Sequence, residues 1–395
     1  MKLSKKIQLC QLSPIRKFHP YLVAARERGL KIYTLNIGQP DIQTPPAYFE
    51  AIANYHASVL AYAPSPGIPE LISAIQAYYA RLGADFKEDE ILVTTGGSEA
   101  LLMAMMGILD EDCEVIVPEP FYPNYHTFIR MAGGKICPLK TTAENGYRYA
   151  TREQIQPLIN EKTRAILVTS PGNPTGTVLS AEELRLVADI AKEHDLFLIC
   201  DEVYREFIYD GEMTTTATYT DMDENLVLID SVSKRFSSCG ARIGALITRN
   251  KALMEGAIKI AQARLSVATL DQVGAAALYG VEPDYFDATK EEYRRRRDVC
   301  YRKLREIPGV VTAEPKGAFY TMAKLPVDDA EKFQMYLLTE FEEQGETLLF
   351  APGSGFYATE GAGTQEIRIA YVHRTEELER ALDLLRIAIQ RYNQK

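Results

Sequence analysis

Six short apolar runs recur through the middle of the chain, at residues 91–95, 114–117, 165–169, 196–200, 226–229 and 245–248. They constrain the fold more than any other feature. Each run is continuous rather than alternating, which suits strands covered on both faces. Helical patterns lie between several of them. Residues 99–109 form one, and Ser180-Ala-Glu-Glu183 is a capping box that opens a second through Leu184, Val187, Ile190 and Ala191. Strands alternating with helices predict an α/β fold whose central sheet is open, mostly parallel and flanked by helices.

Five of the runs end in polar or glycine-rich turns: "GGSEA" after Thr95, "PEPFYPNY" after Val117, "SPGNPTG" after Thr169, "DEVY" after Cys200 and "DSVSK" after Ile229. In open parallel sheets, ligands sit beyond the carboxyl ends of the strands. The pattern therefore predicts one site assembled from five segments.

The residue types in those turns narrow the chemistry. The Gly96-Gly97 pair opens a helix, whose free N–H groups attract a phosphate. Ser231, Ser233 and Arg242 can add hydroxyl and guanidinium donors. Tyr122 can stack on a flat ring. Asp201 can pair with a protonated ring nitrogen, Asn173 can reach a ring oxygen, and Tyr204, three residues on, can reach the same ligand as Asp201 if the chain turns helical there. Lys234 stands at a strand end near Arg242. Partial desolvation favours its neutral amine, which can then form a Schiff base with an aldehyde. Each residue also has a plainer reading: a tight turn at the glycines, a structural ion pair at Arg242, a core tyrosine at 122, a helix cap at Asp201, an Asx-turn at Asn173. Taken together the groups describe a site for pyridoxal 5'-phosphate.

With "SVSKRFSSCGARIG", "SPGNPTG" and "DEVY" in order, the chain resembles the class I/II aminotransferases of the fold type I pyridoxal-phosphate superfamily. It is most similar to their aspartate aminotransferase group, from about residue 35 to 368. The resemblance implies that Lys234 carries the cofactor, that Asp201 holds the ring nitrogen protonated, and that Tyr204 and Asn173 bond the ring 3-oxygen. It implies that Tyr122 stacks on the ring, with Gly97, Ser98, Ser231, Ser233 and Arg242 on the phosphate. It further implies a homodimer in which Tyr62 reaches the neighbouring subunit's phosphate, Gly38 beside the substrate, and Arg368 on the substrate α-carboxylate. Arg264 matches the region where some relatives supply a clamp for a distal carboxylate from the partner. The expected reaction moves the amino group of an L-amino acid, aspartate first, to a 2-oxo acid such as 2-oxoglutarate. Aromatic or other amino acids, or β-elimination on the same scaffold, are the alternatives. A large cofactor-binding domain is expected at 46–284, with a smaller α+β domain from 1–45 and 285–395.

Composition excludes other classes. A net charge of −10 disfavours general affinity for nucleic acid or anionic membranes. The six cysteines contain no Cys-x-x-Cys pair, so no metal site or disulfide framework is visible, which fits a reducing, cytoplasmic setting. No segment reads as a signal peptide, a membrane span or a DNA-binding module. Residues 1–45 read as irregular. Asn145-Gly146 reads as a hairpin turn, and "EEYRRRRDVCYRKL" as a solvated, salt-bridged helix face.

Overall fold

The computed structural model describes residues 1–395. The apolar runs become strands of one seven-stranded sheet, in the order Ile91–Thr94, Gly244–Ile247, Leu226–Ser231, Phe197–Asp201, Thr163–Thr169, Glu114–Glu119, Lys135–Lys140. Neighbours are parallel except at Gly244–Ile247, which runs antiparallel to both strands beside it. Successive side chains enter different cores. Ile166, Val168, Leu198, Cys200 and Leu228 pack with the Ala181–Glu193 helix. Leu167, Ile199, Val227 and Ile229 pack with the Gly96–Ile108 helix. Helices on both faces thus leave the strands no polar side, and this is why the runs lack alternation.

The capping box at Ser180 is present: Glu183 N donates to Ser180 Oγ at 3.2 Å, and Ser180 N donates to Glu183 Oε2 at 2.9 Å. The 99–109 helix begins earlier, at Gly96, so the glycine pair lies inside its first turn. Lys135–Lys140 carries no continuous apolar run. It is the edge strand, partly exposed, and needs less apolar surface than its neighbours.

Three expectations are corrected. Asn145-Gly146 does not join two strands. It closes a capped turn at Ala143–Asn145, where Thr142 and Asn145 bond each other's backbone N–H, and the chain runs on to the Arg152–Ile155 helix. Residues 1–45 are not merely irregular. They hold the His19–Glu27 helix, buried through Leu22 and Ala25, and the Lys31–Thr34 strand, parallel to Glu346–Leu349. In the Pro283–Arg305 helix, Arg294 and Arg295 do pair with Glu291 and Glu292 at the surface. Arg296 and Arg297, however, are buried. Arg296 reaches Asp41 at 2.6 Å, and Arg297 reaches Asp210 and Pro315 O, so this face fastens the helix to the rest of the molecule.

The chain ends build an α+β assembly. A four-stranded antiparallel sheet (Ala351–Pro352, Glu366–Ala370, Tyr320–Lys324, Val311–Thr312) packs with the Thr375–Tyr392 helix around Leu35, Phe319, Leu337, Ile369 and Leu385. No helix is long and apolar enough to cross a membrane.

Candidate active site

The carboxyl-end turns converge on one cleft of about 460 Å³. Gly97 and Ser98 line it from the first turn of the Gly96–Ile108 helix, Asp201 from the end of its strand, and Tyr122, Asn173 and Tyr204 from loops. Ser231, Ser233, Lys234 and Arg242 line it from the lysine segment, and Gly38 and Arg368 from the chain ends.

One end of the cleft gathers hydroxyl, guanidinium and helix N-terminal N–H donors. Ser231 caps the Val232–Arg235 turn of helix: its Oγ accepts from Ser233 N at 3.1 Å and lies 2.9 Å from Ser233 Oγ. Arg242 adopts a left-handed conformation (φ 53°), and its guanidinium lies against the glycine pair, where a Cβ at Gly96 would lie 2.5 Å from Arg242 Nη2. Its Nη1 donates to Cys239 O at 3.0 Å. The backbones here touch directly. A Cβ at Gly244 would lie 2.5 Å from Gly96 C and 2.6 Å from Gly97 N. That contact sets the N-terminus of a 13-residue helix beside Arg242 and the serines.

The middle of the cleft carries the reactive groups. Lys234 Nζ donates to Gly38 O at 2.9 Å and has no carboxylate partner. Asp201 is buried, with no cation against it. Tyr125 donates to its Oδ2 at 2.6 Å and Val203 N to its Oδ1 at 3.3 Å. Burial pushes its carboxyl up to about 6, against the opposing effect of the Tyr125 hydroxyl. No helix follows Asp201. An irregular turn brings Tyr204 into the same cleft, where its hydroxyl lies 3.0 Å from that of Tyr320. Burial, then Tyr320, raises the Tyr204 hydroxyl well above the usual phenol range. Tyr122 accepts from Asn124 Nδ2 at 2.7 Å and stands edge-on to Tyr125.

Arg368 closes the other end. It is buried, donates from Nη1 to Asn173 Oδ1 at 3.1 Å and from Nη2 to Asn36 O, and keeps its Nε without a partner. The rings of Tyr320 and Phe356 lie 4.6 and 5.0 Å from the guanidinium centre. Gly38 must lack a side chain, because a Cβ would lie 1.9 Å from Tyr320 Oη.

Sequence reasoning missed Tyr125, Tyr320 and Asn36. Tyr125 sits in a stretch that drew notice, "PEPFYPNY", but nothing in one dimension ties Tyr125 to Asp201 or Tyr320 to Gly38. It also missed the buried network behind the cleft. Asp230 pairs with Arg235, Arg205 with Glu202 at 2.7 Å, and Tyr79 bridges Arg205 and Asp230. Each ion is the chain neighbour of a cleft residue, and so anchors Ser231, Lys234, Tyr204 and Asp201 from the rear.

Two residues expected to serve the partner's site lie outside the cleft of their own chain. Tyr62 is 80% exposed and outside the cleft of its own chain. Arg264 is also outside it. Its guanidinium is held by Glu99 Oε2 at 3.2 Å and Ser65 O at 3.1 Å. Glu99 in turn accepts from Thr95 N at 2.6 Å, so Arg264 braces the glycine turn.

Comparison with known proteins places the chain among relatives of one kind. The model of the family described as aminotransferase class I and II matches residues 31–385. Aspartate aminotransferase of Bacillus subtilis (strain 168) is 30% identical over 405 residues, covering 100% of both chains. Aromatic-amino-acid aminotransferase 2 of Thermococcus litoralis is 31% identical, covering 97% of each. The solved structure of an alanine aminotransferase from Pyrococcus furiosus superposes with a TM-score of 0.91 at 29% identity, covering 99% of this chain and 100% of that one.

Proposed function

The chain belongs to the class I and II aminotransferase family, and from that premise we propose that it moves the amino group of an L-amino acid, aspartate first, to a 2-oxo acid such as 2-oxoglutarate. The observation that carries this reading is the Lys234 amine, bonded to Gly38 O and Cys239 Sγ but to no carboxylate, in one cleft with a buried carboxylate that lacks a cation and a buried guanidinium with a free donor.

The residues fit pyridoxal 5'-phosphate. A carboxylate buried without a cation calls for a positive partner, and a protonated ring nitrogen supplies one. The first-turn N–H groups at Gly97 and Ser98, with Ser231, Ser233 and Arg242, would hold the phosphate. Tyr122 would cover the ring, and Tyr204 and Asn173 would bond its oxygen. When bound, the cofactor supplies an aldehyde for the amine to join and a ring that takes up electrons.

The chain's own residues then do the following. The Lys234 amine would be the point of attachment for the cofactor and, when free, the base that takes the substrate Cα proton and delivers it to the cofactor carbon. Asp201, buried without a cation, would hold a proton on the ring nitrogen. Arg368 exchanges its backbone and amide partners for the substrate α-carboxylate, which fits its planar fork. Gly38, bare beside Tyr320, leaves room for that group. Residues 46–284 act as the cofactor-holding unit. Residues 1–45 and 285–395, as a smaller unit, bring Gly38 and Arg368 over the substrate and exclude water. Tyr62 belongs to the phosphate site of the partner in a homodimer.

A panel of amino donors with 2-oxoglutarate tests the reading. Glutamate should form, fastest with aspartate and next with aromatic or other donors. Lys234→Ala should lose at least about a hundredfold in rate. Release of pyruvate and ammonia without an acceptor would replace transfer by β-elimination.

A further inference from the structure

Four cations line the cleft: Lys234, Arg242, Arg368 and Arg16. The first three have work in the reaction proposed above; Arg16 has none. It ends the Pro14–Arg16 turn near the start of the chain and is exposed. Lys17, beside it, is already paired with Glu331 at 2.6 Å. Arg16 has no such carboxylate, in a chain whose acidic residues outnumber its basic ones 54 to 44.

The turn is fixed to the substrate end of the cleft. Asn36 Nδ2 donates to Ile15 O at 3.2 Å, while Asn36 O accepts from Arg368 Nη2. One residue therefore sets Arg16's turn against the guanidinium that takes the α-carboxylate. The far side of the turn rests on Gly355, where a Cβ would lie 2.3 Å from Pro14 Cβ. The apolar side chains of Ile15 and Ile37 line the same cleft.

We propose that Arg16 selects dicarboxylic substrates: its guanidinium pairs with the side-chain carboxylate of aspartate or glutamate, and of the matching 2-oxo acids, while Arg368 holds the α-carboxylate. The assignment rests on the aminotransferase reading. It places a distal-carboxylate contact within the same chain, whose own Arg264 lies outside the cleft and pairs with Glu99. An arginine on an exposed turn can also swing out to water, so uncharged side chains are admitted without a buried, unpaired cation.

Arg16→Gln and Arg16→Lys test this in the holoenzyme, with Lys17→Gln as a neighbouring control of equal charge change. Losing one charge-assisted pair should lower kcat/KM for aspartate and glutamate by roughly 10- to 100-fold, mainly through KM. Alanine and phenylalanine should change less than about threefold. Arg16→Lys should fall between, and Lys17→Gln should match the parent. Independently of turnover, calorimetric titration should show succinate binding weakened by the same factor and propionate binding unchanged. Equal losses for aspartate and alanine, or undiminished succinate binding in Arg16→Gln, would overturn the assignment. If the parent enzyme transfers no amino group from any donor, the proposed function fails, and the succinate titration still decides the role of Arg16.

Discussion

At the scale of single residues, Asp201 shows a conflict between stability and chemistry. Its carboxyl is raised from 3.8 to about 6 because burial penalises the charged form. The folded state therefore binds the proton more tightly than the unfolded chain. That contribution to stability is fully present below about pH 4 and is lost as the pH rises through about 6. Asp201→Asn removes the buried charge and keeps an acceptor for Tyr125. In cofactor-free protein at pH 8 it should be more stable than the parent by on the order of 3 kcal/mol, from a shift of about two pH units. The advantage should shrink from pH 6 to pH 4 and vanish below. Urea unfolding across this range measures it. Transaminase activity of the same variant should fall at least about a hundredfold, because the amide cannot hold the ring proton through its charge.

At the scale of elements, the site depends on how closely the antiparallel Gly244–Ile247 strand approaches the turn that opens the Gly96–Ile108 helix. The atoms a Cβ would meet at Gly244 are backbone atoms of Gly96, Gly97 and Asp230, none of which can rotate away. Gly244→Ala must then push the helix N-terminus off the strand. Overpacking of this kind costs about 1–3 kcal/mol, and here it also separates the N–H groups from Arg242. Both a lower urea midpoint and weaker inorganic phosphate binding to the cofactor-free protein are expected. A variant that binds phosphate as the parent does would mean that the anion site lies elsewhere. The buried Asp230–Arg235 pair acts on the neighbouring element, since it ties both ends of the short turn carrying Lys234 to the protein interior.

At the scale of the whole molecule, Phe49, Val59, Leu60 and Tyr62 are each more than 60% exposed. Such apolar surface, close in the chain, is costly to leave in water and suits a subunit contact. If the chain forms the proposed homodimer through this surface, Val59→Asp combined with Leu60→Asp should convert it to monomers in sedimentation velocity. It should also weaken pyridoxal 5'-phosphate binding, as Tyr62 would no longer reach a partner. A dimer that survives the double substitution would separate this surface from assembly.

The sequence by itself determined the sheet and the place of the site. Strands buried on both faces must be apolar throughout, and the turns at their carboxyl ends must then carry the polar chemistry, so "SVSKRFSSCGARIG", "SPGNPTG" and "DEVY" could be read as parts of one cleft. Tertiary structure alone decided the partners. Tyr125 on Asp201, Asn36 between Arg368 and the Pro14–Arg16 turn, and Glu99 holding Arg264 are contacts between residues 21 to 332 positions apart. Such pairings leave no period or spacing in the chain, because they arise only when separately folded elements pack side by side.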